Sequence, residues 1–348
     1  MNRRKFIQTT AAAGALGLSD LGLDISPAAA QDGATGTAGK VDPKPLTLRP
    51  AEMPLSSLFP NTTFFEVDSA SVNSKFGIWV TTPPGYNPNG TERYPAIFTP
   101  DGNLFAPLTI PFVAELSAHE LIYPIKPYIQ VTVGYCGAEG DEMLATRARD
   151  LLPPGEPTPK HLLDGMDAAI ASGMPQAAMY ARYKANLLAP HGDAFLRFLT
   201  TELYPAITAQ WRVDPKTTGF FGDSYGGLFA VWLALQRVEQ FPFVGAGSPG
   251  MLSSESKIFD LLEREISSGA DHAGRHLHLS ICEPEFSEPT LYQMLAEQYA
   301  RFLRIVGQRP LKGLKLTAHT VPFESHMTGA MSNFFSFLRT CYSAPRAT

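Results

Sequence analysis

The sequence predicts an α/β fold, a mostly parallel central sheet with helices on both faces. Three observations lead there. From about residue 193 onward, short apolar runs alternate with longer helical patterns, the order produced by strands joined through crossover helices. Several of those runs are apolar throughout rather than at every second residue, as strands covered on both faces must be. The 348 residues and 44% hydrophobic content suffice for one large domain with a sizeable core.

The elements follow in order. Expected strands lie at Lys75 to Thr82, Pro95 to Thr99, Tyr128 to Gly134, Thr217 to Gly222, Phe243 to Gly247, His276 to Cys282 and Leu314 to Val321. Expected helices lie at Asp193 to Trp211, Gly226 to Val238, Ser256 to Ile266, Pro289 to Val306 and Met327 to Cys341. One stretch breaks the rhythm. Leu151 to His191 begins near PPGEPTP and runs on through Met/Ala-rich sequence where a short loop would do, so it is expected to be a partial cap insertion.

The first thirty residues are set apart. Arg3-Arg4 precede a weakly apolar Ala/Gly/Leu stretch and an A-x-A site at Ala28 to Ala30, a pattern resembling a twin-arginine export signal. Asp20 and Asp24 interrupt the segment, which falls short of the roughly 20 apolar residues of a membrane span. Residues 31 to 60, rich in Gly, Ala and Pro, read as a linker or arm, which leaves 61 to 345 as the folded domain. The expected location is periplasmic or secreted.

Charge narrows the partners. A net charge of -5 without a dense Lys/Arg run excludes a nucleic-acid footprint and a lipid-binding basic cluster. Cys136, Cys282 and Cys341 make an odd count without a CxxC pair, so buried free thiols are expected rather than a disulfide framework or zinc site. There is no GxGxxG, Walker loop or metal-ligand cluster, and no cofactor is expected.

The chemistry centres on TTGFFGDSYGGLFAVWL, Thr217 to Leu233. GDSYG, Gly222 to Gly226, fits the G-x-S-x-G elbow, in which a sharp strand-to-helix turn lifts Ser224 clear of the sheet. AGSPG, Ala246 to Gly250, imitates it. Pro249, following Ser248, has no N–H to offer a developing oxyanion, so Ser248 is read as a strand-end turn. A serine hydroxyl needs a base within hydrogen-bond reach and a carboxylate to orient that base. His276 and His278 fall on one face of a strand and read as structural, and His319 lies within the last strand. His326 follows that strand in the loop PFESHMTG and is the expected base. The acid should follow the preceding strand, where Glu285 is favoured, Glu283 is the rival, and Glu288 reads as solvated. A second oxyanion N–H is expected from Asn103 or Gly102 in the DGN turn, converging with that of Tyr225.

Together these segments resemble the esterase family of the α/β-hydrolase superfamily. Its members include siderophore trilactone esterases, feruloyl and acetyl-xylan esterases, formylglutathione hydrolases and mycolyltransferases. FGIWVTTPPGYN, YPAIFTPDGN, VTVGYCGAEGDEMLATRARDLLPP, GDAFLRFLTTELYPAI, FFGDSYGGLFA with GSPGM, and the Glu285 and His326 loops occur in the family's order over roughly residues 62 to 342. DGN and RARDLLPP are most similar to the siderophore-esterase branch.

The resemblance implies an α/β-hydrolase fold and a serine esterase acting on a small-molecule ester, with Ser224, Glu285 and His326 as triad and the Tyr225 and Asn103 amides as oxyanion hole. Asp223 stands where the family commonly has histidine, which puts a carboxylate at the reacting centre, and it is expected with Arg149 to meet substrate. Arg147 and Arg149 have a competing assignment, pairing with Asp150 to support their loop. Acyl transfer to an alcohol and a catalytically inactive binding module are the alternative functions.

Overall fold

In the computed structural model, which describes residues 58–287 and 291–345, eight strands form one sheet in the order β1-β2-β4-β3-β5-β6-β7-β8. The expected leader and residues 31–57 of the arm lie outside the described residues. The strands are β1 (Thr62–Ser69), β2 (Ser74–Thr81), β3 (Ala96–Thr99), β4 (Ile129–Tyr135), β5 (Gly219–Asp223), β6 (Phe243–Gly247), β7 (His276–Cys282) and β8 (Lys315–Val321). The β1-β2 and β2-β4 pairs are antiparallel, and every pair from β4 to β8 is parallel. This is the α/β-hydrolase architecture that the motifs imply, and the β6 and β7 limits coincide with the expected ones.

The helices are α1 (Gly102–Ala118), α2 (Gly137–Asp141), α3 (Met143–Leu151), α4 (Lys160–Ala171), α5 (Ala177–Leu188), α6 (Gly192–Arg197), α7 (Tyr204–Gln210), α8 (Tyr225–Leu235), α9 (Lys257–Ser268), α10 (Leu291–Gln308) and α11 (Ala330–Cys341). Four differences from expectation have physical causes. The helix read from Asp193 to Trp211 is divided by a π-helical turn at Phe198–Leu203. Helix α11 starts at Ala330 rather than Met327, because 322–329 is spent on the turn that carries His326. Helix α1 was not expected, since Pro107 and Pro111 inside it signal helix breaks. Strand β1 was not expected either: it is an edge strand with most of its residues exposed or half-buried, and it lacks a buried apolar run.

Strand β5 shows why the sheet must be covered twice. Consecutive side chains point to opposite faces, so Phe220 and Phe221 need separate apolar surroundings. Phe220 packs with Phe229 and Phe241 on one side, and Phe221 with Phe105, Phe334 and Phe337 on the other. Helix α8, which follows, is buried almost all round, as a helix at the centre of a large core is. Its close approach to β5 requires glycine: a Cβ at Gly222 would lie 2.2 Å from the Gly226 oxygen.

Candidate active site

The site forms at the carboxyl ends of β5, β7 and β8, where strand ends release loops that converge. Ser224 sits between β5 and α8 with φ 59° and ψ -119°, a strained conformation for a residue with a Cβ. Neighbouring backbone holds it there. Its N–H donates to the Gly247 oxygen at 2.9 Å, and its own oxygen accepts from the Gly250 and Leu228 N–H groups at 2.8 and 2.9 Å.

His326 comes from the loop after β8 and Glu285 from the short 3₁₀ turn Glu283–Phe286 after β7. The Ser224 Oγ lies 3.0 Å from His326 Nε2, and His326 Nδ1 lies 2.5 Å from Glu285 Oε1. A carboxylate at Nδ1 accepts a hydrogen bond from the N–H there and so keeps the proton on that nitrogen, which leaves Nε2 as the lone-pair acceptor for the serine hydroxyl. The other Glu285 oxygen accepts from the Ser248 hydroxyl at 2.8 Å and the Cys282 N–H at 3.0 Å. Tyr292 of α10 stacks on the imidazole, with ring centroids 4.3 Å apart. Glu283, the rival acid, instead accepts from the Phe323 N–H at 3.4 Å. Glu288 lies outside the described residues.

Tyr225 is the first residue of α8, and Gly102 and Asn103 are the first two of α1. N–H groups at these positions have no acceptor four residues back within their own helix. The Asn103 side chain ties the start of α1 to β4, donating from Nδ2 to the Tyr135 oxygen at 3.0 Å and accepting the Tyr135 N–H at Oδ1 at 2.8 Å. A Cβ at Gly102 would lie 2.6 Å from the Gly134 nitrogen, so this approach also needs glycine.

A cavity of about 120 Å³ opens beside Ser224 and His326. Its apolar wall includes Leu104, Met143, Leu144 and Met327, and its polar side includes Asp101 and Arg147. Arg147 grips Asp101 through two hydrogen bonds of 2.7 Å and also donates to the Asp223 backbone oxygen at 3.2 Å. Burial works against its charge, but the Asp101 carboxylate outweighs that and holds the guanidinium above its usual range. The same guanidinium lies over the Tyr225 ring at 5.1 Å, and the Tyr225 hydroxyl lies 2.9 Å from that of Tyr183 on α5.

Two expected substrate contacts have other partners in the fold. Arg149 is engaged by Asp150 and Glu139 at 2.6 to 2.9 Å, supports its loop, and is not part of the cavity wall. The Asp223 carboxylate borders the cavity but is buried and turned to Asn333, whose Nδ2 donates to Oδ1 at 2.9 Å. Burial pushes Asp223 up to about 7, with His326 and Asn333 opposing the shift.

Sequence reasoning missed Asp101, Tyr183, Tyr292 and Asn333 as neighbours of the site and set Ser248 aside. A signal existed for Ser248 alone. Parallel strand order puts the end of β6 between the ends of β5 and β7, hence between Ser224 and Glu285.

A family model described as "Putative esterase" matches residues 156–279. Ferri-bacillibactin esterase BesA of Bacillus subtilis (strain 168) is 27% identical over 195 residues, covering 55% of this chain and 59% of that protein's length. Among solved structures, the BES protein from Bacillus cereus superposes with a TM-score of 0.65 at 19% identity, over 86% of this chain and 100% of the other. Siderophore hydrolase EstB from Aspergillus nidulans gives 0.63 at 18% identity, over 84% and 98%. These two likenesses are of fold. With the family match and the fold in agreement, the chain is similar to the esterase family that its motifs resemble.

Proposed function

We propose that the protein is an exported serine hydrolase of carboxylic esters, with Ser224 as nucleophile, His326 as base and Glu285 as the acid that orients it. The single observation that carries this reading is the relay from Ser224 Oγ to His326 Nε2 at 3.0 Å, backed by Glu285 at Nδ1. As Ser224 Oγ attacks the ester carbonyl carbon, His326 takes the hydroxyl proton, and the carbonyl oxygen becomes an oxyanion held by N–H groups of Tyr225 and the Gly102–Asn103 turn. Collapse expels the alcohol, which leaves with the proton from His326. Water, deprotonated by the same imidazole, then releases the acid and restores the serine. One oxyanion donor is worth about 3 kcal/mol in the transition state.

The relatives' names point to the substrate: a siderophore ester, in keeping with the siderophore-branch likeness of DGN and RARDLLPP. Residues 151–191 act as a partial cap, a role supported by the Tyr183–Tyr225 contact and by Asn186, which anchors α5 to the Ala145 oxygen at 2.9 Å. Export rests on the leader read from the sequence.

Fluorophosphonate treatment of a periplasmic or culture fraction should label Ser224 on a chain that begins at Gln31, and Ser224→Ala should abolish the label. A folded wild-type protein that takes no label would overturn the mechanism. A labelled chain retaining its first thirty residues would overturn export.

A further inference from the structure

Ser248 stands at the end of β6, beside the strand that carries Ser224 and the strand that leads to Glu285. It is fully buried, with a left-handed φ of 36° that a residue bearing a Cβ keeps only where its surroundings impose it. Its N–H donates to the Ser280 oxygen at 2.8 Å, which ties that backbone to β7. The hydroxyl thus meets Glu285 Oε2 at 2.8 Å, an oxygen that also receives the Cys282 N–H at 3.0 Å.

Two donors on one carboxylate oxygen and the imidazole on the other fix the plane of the carboxyl group. Without the hydroxyl, one main-chain donor remains on Oε2 and the group is freer to turn about its last bond. The Ser248 hydroxyl, whose O–H points to Glu285, keeps lone pairs for Asn333 Nδ2, 3.4 Å away, which donates in turn to Asp223. The chain of contacts from Ser224 through His326, Glu285, Ser248 and Asn333 therefore closes on Asp223, the residue covalently preceding the nucleophile.

We propose that Ser248 is a positioning residue: its hydroxyl holds the Glu285 carboxylate in the plane that His326 needs. The proposal rests on the Ser224, His326 and Glu285 reading given above. Pro249, which disqualifies Ser248 as a nucleophile, does not affect this task, because only the side-chain hydroxyl is required.

The test uses nitrophenyl ester hydrolysis by full-length Ser248→Ala and Ser248→Gly. Glycine adopts the left-handed backbone without steric cost, so its variant keeps the fold while losing the hydroxyl. Both should lower kcat by about tenfold with KM within about twofold, the scale of one hydrogen bond to a charged group. In a Glu285→Ala background, removing the hydroxyl should cost nothing further, since no carboxylate is left to orient. Unchanged kcat in both variants, a loss confined to alanine, or an equal loss in the Glu285→Ala background would each overturn the proposal. Wild-type protein that hydrolyses no ester and takes no fluorophosphonate label would remove the underlying reading, and this proposal with it; active wild type with indifferent Ser248 variants would remove the proposal alone.

Discussion

Two groups of histidines in this molecule have opposite surroundings. His326 sits on a loop between a carboxylate and a hydroxyl, with a tyrosine ring on its face. His276, His278 and His319 stand on β7 and β8, and hydroxyls are their partners: Thr317 lies 2.9 Å from both His276 and His278, and Ser336 lies 2.9 Å from both His278 and His319. A carboxylate at one nitrogen lets an imidazole accept a proton at the other and hold the charge. Hydroxyl partners compensate far less. Burial pushes His276 down to about 4 and His278 down to about 3, so both stay neutral where enzymes commonly work. The residue type is the same; one has an anion for a neighbour and the others have hydroxyls.

Removing His326 should separate the groups most sharply. His326→Ala is expected to lower kcat by about 10⁴-fold or more, measured on any ester that wild type hydrolyses, since losing the base of a triad removes most of its catalysis. His278→Gln, which keeps hydrogen-bonding capacity toward Thr317 and Ser336, should leave kcat within about twofold. Comparable losses in both variants would erase the distinction.

Acid should act on His276 and His278. Their folded values lie below the unfolded one of about 6.5, so the unfolded chain binds protons first. Their contribution to stability is present above about 6.5 and drains away as pH falls toward about 4 and then about 3. Asp223 has the opposite sign. Raised to about 7 by burial, its contribution is complete below about 3.8 and fades as pH rises toward 7. Urea unfolding at pH 7 and pH 4.5 should therefore give a smaller acid loss for His278→Gln than for wild type. An identical loss would mean that these histidines titrate normally.

The smallest effect is expected at Tyr183, on the segment proposed as a cap. Tyr183→Phe removes the hydroxyl that meets Tyr225, and should cost about 1 kcal/mol, seen as a rise in KM with kcat nearly unchanged. A drop in kcat with KM constant would place Tyr183 in the chemistry instead of above it.

What could be read in advance divides along physical lines. Strands β5 to β7 were legible because burial on both faces demands uninterrupted apolar runs, and the elbow because two backbones pass where only glycine fits. Ser224, His326 and Glu285 could be picked out by their place at strand ends. Arg149 was read as a substrate contact because a positive charge in a sequence shows no partner, whereas in the fold Asp150 and Glu139 surround it. Asn333 and Tyr292 left no signal: each reaches the site from a helix whose sequence pattern reports only which face is buried. Helix α1 was hidden by its own prolines.

The neighbouring phenylalanines of β5 have one more consequence. Because Phe220 and Phe221 are rooted in opposite halves of the interior, the strand that leads to Ser224 works as a rivet through the whole body. Softening either half would loosen the Ser224 hydroxyl, so variation that reshapes the neighbouring cavity should accumulate along its rim and the overlying helices, where side chains can change without shaking that rivet.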